Sequence, residues 1–152
     1  MVKKENILER SPMVVSVESR LLGVAITVFA LILTLRLEFL EKNIIILQLI
    51  LSMPFLLASM ISNSKIVDND SFKDYYFFNR VTNSIGVAFI FNALGLLVAN
   101  YVARTSGIIF FCTIIFLFGC LFFIDFNKRK FYNELLIILI TFLFGLLPAI
   151  LL

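Results

Sequence analysis

The chain has 152 residues, of which 61% are hydrophobic and 15% charged, and its mean hydropathy is +1.05. A water-soluble domain carries roughly 25% charged residues, so this composition excludes an ordinary soluble fold and points to a bilayer, where large apolar side chains need no aqueous surface. The formal charge of +3 does not imply nucleic acid, because the basic residues fall beside apolar runs instead of forming one patch.

Residues 1–20 form a mixed-charge segment, with Lys3, Lys4, Glu5, Glu9, Arg10, Glu18 and Arg20. Ser11-Pro12 fits an N-cap followed by proline at the first helical position, so a short helix is expected to lead into the first apolar run. That run is long enough to span, and reads as a retained helix instead of a cleaved signal peptide. Five such runs follow one another, at about 21–40, 44–62, 84–103, 107–124 and 135–152. Each is close to the ~20 residues a spanning helix needs. All are too long and too continuous for barrel strands, which alternate over about ten residues. The expected fold class is therefore an all-α integral membrane protein, a single domain built as a bundle of five transmembrane helices.

The connecting segments orient the bundle. Lys3, Lys4, Arg10, Arg20, Lys65, Lys73, Arg80, Lys128, Arg129 and Lys130 fall on one side, against Arg36, Lys42 and Arg104 on the other, a split of ten to three. Basic residues favour the cytoplasmic side, which puts the N-terminus in the cytoplasm and the C-terminus outside. The expected localisation is the cell membrane, with the lipid bilayer itself as a partner. Ser71-Phe72-Lys73-Asp74 resembles a capping box and would open a helix running on into the third span. Tyr75, Tyr76, Phe77 and Phe78, with Phe131 and Tyr132, then read as an interfacial aromatic belt. The short outer connections predict tight hairpins between helices 1 and 2 and between helices 3 and 4.

A faint repeat accompanies this layout. Gly23-Val24-Ala25 recurs as Gly86-Val87-Ala88 and Ala30-Leu31 as Ala93-Leu94, both at an offset of 63. Apolar helices also share such residues by composition alone.

Inside the runs, small or weakly polar residues recur at spacings that keep them on one helix face. Helix 1 has Gly23, Thr27, Ala30 and Thr34. Helix 2 has Gln48, Ser52, Ser59 and Ser62. Helix 3 has Ala88, Asn92, Gly95 and Ala99. Helix 4 has Thr113 and Cys120 with Gly119 beside it, and helix 5 has Thr141, Gly145 and Ala149. Small residues let helices approach closely in lipid, where no hydrophobic drive pulls them together. The stripes are expected to face inward, either as packing surface or as the lining of a polar path, with Asn92, Gln48, Ser52, Thr27, Thr34 and Gly95 as candidate positions. Asn92 stands out, because an amide near mid-helix must find a partner on another helix, a second copy or a solute. Pro54 would free a carbonyl near Ile50 and kink helix 2.

Catalytic chemistry is not expected. The runs hold no paired carboxylates and the chain holds no His, so proton relays, a nucleophile–base dyad and a metal centre lack their usual residues. Asp68-Asn69-Asp70 with Asp74 glances at a calcium loop but lacks its glycine and terminal Glu. It reads as a solvated acidic surface. Cys112 and Cys120 read as small apolar residues. No cofactor is expected.

Two functions are compatible with this pattern. One is a non-catalytic membrane-embedded interaction, accessory or regulatory subunit, presenting the segment Asn63–Asn83 to another protein through Asp68, Asp70, Asp74, Tyr75 and Tyr76. The other is a small homo-oligomeric channel or transporter for a neutral or weakly polar solute.

Overall fold

The computed structural model describes residues 11–34, 43–68, 72–126 and 132–151, and nearly all of them are helical. Helix α1 spans Ser11–Thr34, α2 Asn43–Asp68, α3 Phe72–Tyr101 and α4 Arg104–Phe126. Helix α5 spans Tyr132–Thr141, passes into a π-helical turn at Phe142–Leu146, and continues as α6 over Leu147–Leu151. Among the described residues, four helical segments are long and apolar enough to cross a membrane: Ile44–Ile66, Asp74–Tyr101, Arg104–Ile124 and Tyr132–Leu151. In α1 the apolar stretch among the described side chains is the shorter Ser19–Ala30. The rest of the expected first run, residues 35–40 with Arg36 and Glu38, lies outside the described residues, as does Lys42.

Several boundaries extend the expected runs. Helix α1 starts at Ser11 with Pro12 in its first turn, where a missing N–H costs no helical bond. Helix α3 starts at Phe72, just after Ser71, and holds 30 residues, which corresponds to about 45 Å of rod. Helix α2 runs on to Asp68 with Pro54 inside it. The segment Asn63–Asn83 is therefore not an open loop. Apart from residues 69–71, which lie outside the described residues, it is the end of α2 and the first three turns of α3. At the opposite end, α3 and α4 join through Val102 and Ala103 alone, with the Val102 and Ala103 N–H groups both donating to Val98 O at 3.0 and 3.3 Å. This is the tight hairpin expected there.

Helix α3 is the central rod. Its Ala93, Leu96 and Ala99 pack with Ile45 and Leu49 of α2, Phe111 of α4 and Ala149 of α6. One to two turns away, Ala88 and Phe89 pack with Ile137 and Ile140 of α5. On a third side Ile90 packs with Leu56 of α2 and Ala25 of α1. Helix α1 lies against α2 and barely touches α3.

Which faces turn inward differs between helices. The stripes of α2, α3 and the α5 rod are buried as expected, including Gln48, Ser52, Ser59, Ser62, Asn92, Gly95, Thr141 and Gly145. Those of α1 and α4 are not. Gly23, Thr27 and Ala30 are exposed while Ala25 packs inward, and the Thr34 side chain lies outside the described residues. In α4, Thr113 and Cys120 are exposed and Gly119 half-buried; Gly107, Phe111 and Ile114 make the contact instead. The physical reason is that α4 is apolar all round, so shape alone selects its inner face. The two copies of the faint repeat differ in setting too: Gly23 and Ala30 are exposed, whereas Gly86 and Ala93 are buried.

Candidate functional site

Three polar side chains, Gln48, Asn92 and Arg104, converge on the backbone of one rod, α5 with its π-turn and α6. The π-turn shifts the hydrogen-bond ladder: Leu147 N–H donates to Phe142 O, five residues back instead of four. Pro148 follows immediately and has no N–H. Phe144 O, four residues before Pro148, thus loses the donor an α-helix would supply.

Gln48 of α2 fills that gap, its Nε2 donating to Phe144 O at 2.7 Å. One turn earlier, Asn92 Nδ2 of α3 donates to Ile140 O at 3.2 Å. Beyond Pro148, Arg104 Nε at the start of α4 donates to Ala149 O at 3.2 Å. Ala149 is among the last residues of its helix, where carbonyls lack intrahelical partners and a cation is favoured by the helix dipole. Three helices therefore each send one donor to this rod. In a membrane such bonds are worth about 0.6–2 kcal/mol each.

Close packing positions these groups. Phe111 of α4 is fully buried and lies over Gly95 of α3 and Gly145 of the π-turn. A Cβ on Gly145 would sit 2.5 Å from Phe111 Cε1 and 2.6 Å from Asn92 Oδ1. A Cβ on Gly95 would collide with the same ring. Two glycines thus form the socket for one phenylalanine, and the socket brings α3, α4 and the π-turn together. Phe89 extends the contact, its ring meeting Phe144 edge-on at 6.1 Å and Phe55 at 6.0 Å.

Near the π-turn, three fully buried side chains each keep an oxygen without a hydrogen-bond partner among the described residues, Gln48 Oε1, Asn92 Oδ1 and Thr141 Oγ1; Glu134 Oε2, at the start of α5, is likewise buried and unpartnered. The other candidate positions are engaged or turned away. Ser52 Oγ donates to Leu49 O of its own helix at 2.7 Å. Thr27 Oγ1 donates to Gly23 O at 2.8 Å on the outer face of α1.

A second polar layer joins the end of α2 to the start of α3. Asn79 Nδ2 donates to Ser59 O and to Ser59 Oγ, both at 2.8 Å. Thr82 Oγ1 donates to Phe78 O at 2.9 Å. With the Asn133 amide turned so that its oxygen faces the guanidinium, it accepts from Arg80 Nε at 2.6 Å and Nη2 at 3.0 Å. Arg80 also lies over the Tyr76 ring at 5.7 Å, and Lys65 over Tyr75 at 5.8 Å. Both tyrosines are half-buried, while Asp74, Phe77, Phe78 and Tyr132 are exposed. The Asp68 side chain, Asp70, Lys128, Arg129, Lys130 and Phe131 lie outside the described residues.

Sequence reasoning missed Asn79, Asn133 and Arg104 as interhelical partners. Pro148 was the one available signal for the role of Gln48, since it marks Phe144 O as short of a donor. Among the described residues, no three His, Cys, Asp or Glu side chains come together. No protein-family model, curated protein or solved structure matches the chain.

Proposed function

We propose that this chain is a five-span protein of the cell membrane, N-terminus cytoplasmic and C-terminus outside. In this reading it acts as a non-catalytic interaction, accessory or regulatory subunit. Four helices of spanning length support the membrane part. The first run supplies the fifth span, and the ten-to-three division of Lys and Arg supports the orientation.

The observation that carries the subunit reading is how the interior amides are used. Asn92 and Gln48, the best candidates for handling a solute, spend their N–H groups on the backbone of the α5 rod. Side chains committed in this way brace a scaffold. The surface available to a partner then lies at the cytoplasmic ends of α3 and α5, where Asp74, Phe77, Phe78 and Tyr132 are exposed. An exposed aromatic with a neighbouring carboxylate suits a protein surface of mixed apolar and basic character.

A homo-oligomeric channel or transporter for a neutral or weakly polar solute is the second reading. It is favoured by one observation, the free acceptor oxygens of Gln48, Asn92 and Thr141.

Purification of the tagged chain from its own cells in mild detergent, with mass measurement of the intact assembly, separates the two. The subunit reading expects a stoichiometric second protein, released when Phe77, Phe78 and Tyr132 are changed to Ser together. Emergence as a homo-oligomer of defined size, with nothing else bound, would refute it and favour the channel.

A further inference from the structure

We propose that Gln48 Oε1, Asn92 Oδ1 and Thr141 Oγ1 form a binding site for one small monovalent cation, of the size of sodium, beside the π-turn. All three side chains are at most 1% exposed, and none of these oxygens has a partner among the described residues.

They come from three elements, and their bonded and contacting neighbours fall on one stretch of the rod, residues 140–145. The Asn92 amide is fixed by its nitrogen on Ile140 O, and its oxygen lies over Gly145. The Gln48 amide is fixed by its nitrogen on Phe144 O, the residue before Gly145. Thr141 follows Ile140 directly. Both amides are thus anchored within one helical turn of Thr141, each with its nitrogen used and its oxygen unused.

The behaviour of Thr141 is the second sign. A helical threonine ordinarily returns its hydroxyl to the carbonyl one turn back. Thr27, Thr82 and Thr113 all do so in this chain, at 2.8–2.9 Å. Thr141 does not, and it bonds neither amide oxygen. Its oxygen is left available, together with two others, in an interior where an unmet polar group is costly.

The donor set selects the guest. The two amide oxygens can only accept, and with the lone pairs of the Thr141 hydroxyl they attract a positive centre. None of them is a carboxylate, so the set lacks the charge that calcium or magnesium sites use. Irregular turns in membrane helices serve monovalent cations in this manner, through neutral oxygens.

The test is thermal unfolding of the purified full chain in detergent, at constant ionic strength, in lithium, sodium, potassium or N-methylglucamine chloride. Wild type should show a saturable rise in Tm of several degrees with sodium over N-methylglucamine. Thr141→Val keeps the shape and removes the oxygen, and should lose that rise; Thr141→Ser should keep it. Equal Tm values for wild type in all four salts, the result expected of a buried water, would overturn the site. So would a sodium response undiminished in Thr141→Val. No partner protein enters this measurement, so its failure is separate from failure of the subunit reading.

Discussion

Replacing Gly145 by alanine should destabilise the folded bundle by about 1–3 kcal/mol, the usual cost of forcing extra carbon into a filled interior. Alanine is the better helix former, by about 0.8–1.0 kcal/mol, so propensity alone predicts the opposite sign. Packing wins because the added methyl would meet Phe111 Cε1 at 2.5 Å, Asn92 Oδ1 at 2.6 Å and Phe111 Cδ1 at 2.9 Å. The same edge of the ring, through Cε1, also rests on Gly95, so a shift along that edge meets a second backbone. Moving Asn92 instead would strain its bond to Ile140 O. Reversible unfolding of the purified protein in mixed micelles gives the number. Pairing Gly145→Ala with Phe111→Leu should recover part of the loss, because the shorter side chain vacates the space the methyl needs. Stability of Gly145→Ala equal to or above wild type would show that the socket is looser than described.

Gln48→Leu should cost about 1–2 kcal/mol, by leaving Phe144 O without a donor. This lies at the upper end for interhelical bonds in membranes, because the proline at 148 removes the backbone alternative. The diagnostic is a double-mutant cycle with Pro148→Ala. Alanine restores an N–H four residues after Phe144, so Gln48→Leu should cost markedly less in that background. A coupling of about 1 kcal/mol, within the usual range for residues sharing a partner, is the expected result. Independent, additive costs would mean that Gln48 acts through its bulk and not through its amide.

These two sites show which parts of the molecule were legible beforehand. Hydropathy located the four helices of spanning length, because a run of twenty apolar residues has few other fates; the first run, read as 21–40, meets a described helix only over 21–34. Three of the stripes were readable as inner faces, since Gln48, Asn92 and Thr141 are polar enough to be driven together. The faces of α1 and α4 were not. In α4 every turn from Ile108 to Ile124 carries phenylalanine, leucine or isoleucine, so composition cannot rank one face above another. Phe111 turns inward because glycines on two other helices make room for it, a fact that no local window contains.

In the polar stretch Asn63–Asn83, the helix from Phe72 onward was legible from the capping-box pattern at Ser71, whereas the run of α2 on to Asp68 was not. Asn79 spends its amide on Ser59 of α2, and Thr82 returns its hydroxyl to its own helix. The π-turn was also invisible, apart from Pro148 at its edge. A one-residue shift in the hydrogen-bond ladder leaves hydropathy unchanged.

Both the scaffold and the proposed cation site presuppose that the two ends of these rods face different sides of a membrane. Cysteine labelling in intact cells reads this directly. In a chain with Cys112 and Cys120 replaced by alanine, Val102→Cys would mark the turn between α3 and α4, and Ser64→Cys the far end of α2; both positions are exposed. An impermeant maleimide should label Val102→Cys from outside and reach Ser64→Cys only after permeabilisation. Labelling of both from the same side would contradict the spanning bundle.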